Sequence, residues 1–118
     1  MSISIKITNA SEAEELSQIQ KAAFKPLYEK FHDEGNPFLR GPEDILRRLN
    51  KSYRHFTILL DGKIIGGIFY RLCGKRVPGF ELRVGDYYLQ RVYIHPDYQN
   101  KGIAREAILL CEKEFAEA

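Results

Sequence analysis

The sequence has few of the features that assign a chain to a specialised class of protein. Its two cysteines, Cys73 and Cys111, are too few for a disulfide framework and lack the spacing of metal ligands. No stretch approaches the ~20 apolar residues that a membrane-spanning helix needs. Residues 1–6 lack a long apolar run, so we expect no signal peptide. We therefore expect a reduced, cytoplasmic protein with no membrane partner.

Neither sign of charge dominates the chain. Its 18 basic and 16 acidic residues give a net charge of +2, with no concentrated basic tail. We therefore expect no nucleic-acid partner. A length of 118 residues, 44% hydrophobic residues and a mean hydropathy of −0.36 indicate one soluble domain over residues 1–118, without repeats or linkers.

The spacing of apolar residues predicts seven elements in the order β-α-α-β-β-β-α. Strands are predicted over residues 3–7, 56–60, 64–72 and 80–94, the last interrupted near Gly85, and helices after Ser11, from Pro42 and over residues 102–115. Ser11 and Glu14 fit a capping box, and Pro26 is expected to kink or end the first helix. Asp61-Gly62 between two apolar runs predicts a tight hairpin turn.

The last predicted strand changes its apolar face before it ends. Val92 and Ile94 share one face by the two-residue period, whereas Leu89 is out of phase with them. One extra residue near Gln90-Arg91, a β-bulge, would restore a single buried face. A strand buried on both faces explains the same pattern, so both interpretations stay open at this point.

A second local signal follows this strand. The strand is predicted to end at His95-Pro96, and a helix begins near Gly102 after the residues Gln99-Asn100-Lys101. The first N–H groups of a helix have no internal partner, and the helix dipole adds partial positive charge there. Such a site suits a phosphate group. Gly102 has no Cβ, which leaves room for a ligand close to the backbone.

Residues 89–104, LQRVYIHPDYQNKGIA, resemble the acetyl-CoA motif of the GNAT family of N-acetyltransferases. The family pattern is Gln/Arg-x-x-Gly-x-Gly/Ala after a strand of the form Leu-x-x-Val-x-Val-x-Pro. This sequence matches each position, with Ile94 in place of the second Val. The resemblance implies an α/β (α+β) fold with a mixed sheet, in which the sequence reaches Ala118 before the family's usual C-terminal strands and helix.

The resemblance also implies a reaction, the transfer of an acetyl group from acetyl-CoA to an amine of a small molecule or a protein. The amine attacks directly, acetyl-CoA is the co-substrate and no metal takes part. Backbone groups of the strand would pair with pantetheine, and the loop and the helix start would hold the pyrophosphate, with a side-chain contact from the last residue. In this sequence these residues are Val92, Tyr93 and Ile94, then Gln99, Asn100, Lys101, Gly102, Ile103 and Ala104, and finally Arg105.

The groups that would move protons are less clear from the sequence. A lysine-like amine has a pKa near ~10.4, so a general base would speed its attack. Family members often carry a Glu on this strand, and the nearest residues here are Asp86, Glu81 and Tyr88. A turn aspartate, a solvated strand glutamate and a core tyrosine explain the same residues. The family's usual tyrosine acid, which protonates the thiolate, lies in a region beyond Ala118.

The acceptor side of the resemblance involves the loop between the first two helices. Tyr28, Phe31 and His32 would touch the acceptor there, although a polar loop explains His32 equally well. Two other functions remain open, a non-catalytic acetyl-CoA-binding module and an interaction domain that forms a homodimer through an open sheet edge.

Overall fold

A computed structural model describes residues 2–74 and 86–117, and the predicted order of elements is confirmed there. Three 3₁₀ turns accompany the strands and helices. The elements are β1 (Ile3–Ile7), α1 (Ala13–Phe31), α2 (Pro42–Leu46), β2 (Tyr53–Leu60), β3 (Lys63–Leu72), β4 (Tyr87–Ile94) and α3 (Ile103–Glu117). Residues 80–85 of the last predicted strand, including Glu81, lie outside the described residues.

The strands form one sheet in the order β1-β2-β3-β4. All three pairings of the described strands are antiparallel, where the resemblance implied a mixed sheet. The predicted Asp61-Gly62 hairpin joins β2 to β3, and both turn residues have positive φ, 50° and 84°. Two consecutive positive φ angles match the right-handed twist of the flanking strands.

The β-bulge predicted near Gln90-Arg91 is confirmed. Phe69 of β3 pairs with Arg91, but its neighbour Tyr70 pairs with Leu89, which leaves Gln90 as the extra residue. The bulge reverses the facing of the residues before it. Tyr87 therefore packs on the same side as Val92 and Ile94, although Leu89 itself is 41% exposed.

The two faces of the sheet carry separate helices. On one face, α3 contributes Ile103, Ala107 and Cys111 to a core that includes Ile94 of β4 and Ile68 of β3. On the other face, Leu16 and Ile19 of α1 pack with Ile45 of α2 and Tyr93 of β4. The C-terminal end of β4 is thus packed between α1 and the beginning of α3. Cys111 is fully buried in this core, and burial raises the pKa of its thiol to about 12.

Two local predictions for α1 differ from the structure. Pro26 does not end the helix, which continues to Phe31. In the last turn of the helix, the ring of Tyr28 lies 5.2 Å from that of Phe38. The cap is also earlier than Ser11 and Glu14. A 3₁₀ turn over Ala10–Glu12 precedes the helix, and the Asn9 N–H donates to Glu12 Oε1 at 2.8 Å. Glu12, rather than the predicted Glu14, takes the capping position because its carboxylate also pairs with Lys6 and accepts a hydrogen bond from the Thr57 hydroxyl.

Two glycines in β3 allow close contact with Tyr93. A Cβ on Gly66 would lie 2.2 Å from the Tyr93 carbonyl oxygen, and a Cβ on Gly67 would lie 2.2 Å from its hydroxyl oxygen. Tyr93 therefore lies flat across β3 and reaches His55 on β2, with its hydroxyl 3.4 Å from the Nε2 atom. This contact connects the C-terminal end of β4 to the centre of the sheet.

His55 of β2 belongs to a buried chain of hydrogen-bonded side chains that also includes Thr8, which follows β1, and Thr57 of β2. Its Nδ1 lies 2.7 Å from Thr8 Oγ1, which lies 2.8 Å from Thr57 Oγ1, and its ring stacks on Phe69. Burial, followed by the positive charges of Arg48 and Arg91, lowers the pKa of His55 to about 4. The imidazole is therefore neutral in the folded protein at neutral pH.

We expect this histidine to make stability depend on pH. In the unfolded chain it binds a proton below pH 6.5, whereas in the folded protein it does so only near pH 4. The free energy of unfolding should therefore fall as the pH drops from 6.5 towards 4, by roughly 2–3 kcal/mol at pH 4.5. Urea unfolding at pH 7 and pH 4.5 measures this change. A His55→Asn variant should show a smaller change, and an equal change in both proteins would contradict the prediction.

Candidate active site

A cavity of about 440 Å³ lies where the end of β4 meets α1 and the beginning of α3. Its walls come from the middle of α1, the last three residues of β4, the following loop and the first turn of α3. The lining residues are Ala23 and Phe24, then Val92, Tyr93 and Ile94, then Tyr98, Gln99 and Asn100, and finally Gly102, Ile103, Ala104 and Arg105. Nine of the ten residues that the sequence assigned to acetyl-CoA line this one cavity, and Lys101 lies in the same loop.

The loop before α3 has a backbone that suits a bound anion. Asn100 and Gly102 have positive φ angles of 62° and 76°, and a Cβ on Gly102 would meet nothing within 4 Å. Glu106 N–H donates to the Gly102 carbonyl oxygen at 3.2 Å, so Gly102 is the N-cap of α3. Within the described residues, no N–H group of residues 100–105 donates to another backbone or side-chain group. This row of free N–H groups meets the positive end of the α3 dipole.

The outer edge of β4 offers a second set of free backbone groups. His95 N–H donates to the Ile65 carbonyl oxygen of β3 at 2.8 Å. Because backbone groups alternate along a strand, those of Val92 and Ile94 point away from β3. The Gln99 side chain reaches the Ile94 carbonyl oxygen from that outer side at 2.8 Å. Tyr93, which we expected to share this edge, instead directs its backbone at Gly67 of β3.

Comparison with known proteins identifies this arrangement. The sequence model of the acetyltransferase (GNAT) family matches residues 14–118. The chain belongs to the GNAT acetyltransferase family. It is therefore an acyltransferase that moves an acetyl group from acetyl-CoA to an amine. No curated protein matches this acetyltransferase in sequence.

Solved structures share the fold at low sequence identity. The PaiA N-acetyltransferase from Thermoplasma acidophilum, in complex with coenzyme A, has a TM-score of 0.74 and 20% identity, over 99% of this chain and 74% of that chain. The ribosomal-protein-alanine N-acetyltransferase from Brucella melitensis biovar Abortus 2308 has a TM-score of 0.66 and 19% identity, over 99% and 73%. A GNAT acetyltransferase from Brucella melitensis in complex with acetyl-CoA has a TM-score of 0.62 and 24% identity, over 98% and 68%.

The predicted acid–base residues lie apart from the loop before α3. Asp86 and Tyr88 line a different cleft of about 650 Å³, which the first half of β4 forms with the far end of α3. Asp86 also accepts the Cys73 N–H through its carbonyl oxygen at 2.7 Å, at the end of the β3–β4 pairing. Tyr88 lies on the opposite face of β4 from the core residue Tyr87, as predicted for consecutive residues of a strand. Glu81 lies outside the described residues.

The predicted acceptor residues also lie away from the cavity. Tyr28 and His32 form an edge contact at 5.5 Å between ring centroids, and Phe31 is 63% exposed. Tyr28 and Phe31 lie in the last turn of α1 and His32 is its C-cap, whereas Ala23 and Phe24, about one turn earlier, line the cavity.

Sequence reasoning missed a cluster of charged residues beside the cavity. Arg91, the residue after the bulge, donates through Nη1 to Gln20 Oε1 at 2.9 Å and to Asp44 Oδ2 at 3.3 Å. Asp44 is 3% exposed, and its other oxygen pairs with Arg47 and Arg48 at 2.8 and 2.6 Å. The available signal was Gln20, a polar residue at a position that the helical period buries next to Ile19.

Two features of other protein classes were sought in residues 2–74 and 86–117. No group of three or more His, Cys, Asp or Glu side chains is arranged there to hold a metal ion. No helix in those ranges is long and apolar enough to cross a membrane.

Proposed function

We propose that the loop before α3 holds the pyrophosphate of acetyl-CoA. The observation that carries this proposal is the row of free N–H groups over residues 100–105 at the positive end of a 15-residue helix. Gly102 has a positive φ that favours glycine, and the open space at its Cα would let a phosphate approach these groups. Arg105 lines the same cavity and would add a charged contact.

We propose that the pantetheine arm pairs with the outer edge of β4. The N–H and C=O groups of Val92 and the N–H group of Ile94 are directed there, in the manner in which a further strand would pair. A second copy of the chain that paired with this stretch would compete with the cofactor for the same groups. For this reason we assign the stretch to the cofactor and not to a homodimer.

The reaction then takes place near the bulge. The amine nitrogen bonds to the thioester carbonyl carbon, the C–S bond breaks, and the coenzyme leaves as a thiolate. Arg91, the residue after the bulge at Gln90, contacts Gln20 of α1, so we propose that the acceptor approaches from the α1 face of β4. Asp86, Tyr88 and Glu81 stay our candidates for removing the proton of the amine.

The test is calorimetric titration of the 118-residue chain with acetyl-CoA, followed by an assay of thiol release with a panel of amines. Desulfo-CoA and adenosine 3′,5′-bisphosphate are the comparison ligands. We expect saturable binding of acetyl-CoA, weaker binding of the bisphosphate because it lacks the pantetheine arm, and thiol release with at least one amine. Absence of binding by a folded chain would contradict the site, and binding without thiol release would favour a non-catalytic module.

The remaining expectations stay proposals. We propose a single domain over residues 1–118 and a cytoplasmic location, which is supported by the low cysteine content of the sequence, two residues in 118.

A further inference from the structure

The single negative charge of Asp44 pairs with more than one positively charged side chain, so a net positive charge remains around it. Within the described residues, this carboxylate pairs with three arginines, Arg47, Arg48 and Arg91. The side chain of Arg47 is 69% exposed, whereas those of Arg48 and Arg91 are only 15% and 21% exposed. Two guanidinium groups are thus held in a largely buried environment with one carboxylate between them. A buried excess of positive charge favours an anionic partner.

Arg91 is the member of this cluster that faces the proposed acceptor side. Its guanidinium carbon lies 5.9 Å from the centre of the Phe24 ring, which lines the cavity at the end of β4, and 5.0 Å from that of Phe69. Both hydrogen bonds of Arg91 use Nη1. Its Nε and Nη2 donors have no partner in the part of the chain that the structure describes. A guanidinium has five donors in a fixed fork, and the free edge suits a carboxylate.

The bulge fixes the position of this free edge. Gln90 is the unpaired residue of β4, and Arg91 follows it one residue before Val92, whose free backbone groups we assign to pantetheine. Gln20, on the other side, fixes the guanidinium from α1. The Arg91 side chain therefore lies next to the end of the pantetheine groove, where the acceptor amine must meet the thioester.

We propose that Arg91 binds a carboxylate of the acceptor, so that the substrate is a small amine that carries a carboxylate close to its amino group, as an α-amino acid does. This inference rests on the proposed function, because it uses the same groove and the same reaction. The amine of such a molecule would point along the groove to the thioester while its carboxylate is held by Nε and Nη2. Arg91 is then a specificity-determining residue that contacts the substrate.

The experiment compares α-amino acids with their α-amides, which differ in the carboxylate alone. Thiol release is measured as kcat/KM for a panel of such pairs, in the wild-type chain and in Arg91→Gln. We expect the wild type to prefer the acid of at least one pair by about tenfold or more, and Arg91→Gln to reduce that ratio to about twofold or less. Because the ratio is compared between the two proteins, the different amine pKa values of acid and amide cancel.

Arg47→Gln is the matched control. It also removes an ion pair with Asp44, but its side chain is exposed and away from the cavity, so the acid-to-amide ratio should stay at the wild-type value. Equal loss of preference in Arg47→Gln would mean that the cluster acts only on stability and would overturn the proposal. A wild type that acetylates amides as well as acids would also overturn it, while the proposed function would stand.

A binding measurement separates this proposal from the proposed function. Calorimetry of CoA-loaded protein with N-acetyl amino acids and with their amides needs no catalysis. If acetyl-CoA binds but no amine is acetylated, the proposed function fails. The Arg91 site would still be supported if the wild type bound the acid more tightly than the amide and Arg91→Gln abolished this difference. Equal binding of acid and amide in this measurement would overturn the proposal.

Discussion

Replacing Gly102 with glutamate is expected to weaken acetyl-CoA binding by about a hundredfold or more. The free N–H groups of residues 100–105 and the α3 dipole favour negative charge at this position. A glutamate carboxylate placed there would repel the pyrophosphate and occupy the space beside the N–H groups. Loss of two charge-assisted hydrogen bonds, at about 1.5 kcal/mol or more each, corresponds to a factor of this size.

The backbone at Gly102 requires controls that separate charge from strain. Its φ of 76° is unfavourable for any residue with a Cβ, at roughly 1–2 kcal/mol. Gly102→Ala carries this strain alone, and Gly102→Gln adds the bulk of the glutamate without its charge. We expect the dissociation constants to rise in the order Ala, Gln, Glu, while the three variants unfold at similar temperatures.

The order of the three variants decides between two origins of the effect. If the glutamine variant binds as weakly as the glutamate variant, bulk and strain explain the loss and the anion site is wrongly assigned. If Gly102→Glu remains folded and binds acetyl-CoA as tightly as the wild type, the pyrophosphate lies elsewhere. Calorimetric titration, with thermal unfolding as the check on folding, measures all of these outcomes.

The proposed anion site was predictable from sequence because every part of it is local. A strand, a turn and a helix start lie within residues 89–105, and glycine at position 102 indicates the positive φ that the structure shows. The bulge was predictable for a similar reason. A two-residue period that changes phase between Leu89 and Val92 has few explanations, and pairing with β3 decided between them.

The charged cluster was not predictable because its members are distant in sequence and each has a simpler interpretation. Glu43 and Asp44 both suit the beginning of α2, where their charges are favourable. The structure confirms this for Glu43, which accepts the Gly41 N–H at 2.9 Å. Asp44, one residue later, is directed to the other side of the short helix and meets Arg91, 47 residues away. Only the tertiary fold makes that pairing visible.

Replacing Asp44 with alanine is expected to lower the free energy of unfolding by about 3–5 kcal/mol. The carboxylate is buried and pairs with Arg48 and Arg91, so its removal leaves two largely buried guanidinium groups without their counter-charge. It also removes an acceptor of Gln20 and loosens the contact between α1 and α2. Urea unfolding at neutral pH measures the loss. Asp97→Ala is the matched control, because the side chain of Asp97 is 81% exposed and its loss should change stability by about 0.5 kcal/mol or less.

Protonation of Asp44 at low pH should lower the free energy of unfolding for the same reason as its replacement with alanine. Burial raises the pKa of this carboxyl, but hydrogen bonds and charges from Arg48 and Arg91 outweigh burial and hold the pKa below its ordinary value of 3.8. The stabilisation is therefore present above pH 3.8 and is lost as the pH falls further, below the range in which His55 titrates. Asp44→Ala should remove this low-pH loss. It should also enlarge the decline between pH 6.5 and 4, because the negative charge of Asp44 raises the pKa of His55 and its removal lowers that pKa further. If Asp44→Ala were as stable as Asp97→Ala, the three arginines would be solvated well enough to need no carboxylate. That result would contradict the buried excess of positive charge on which the proposed acceptor carboxylate site depends.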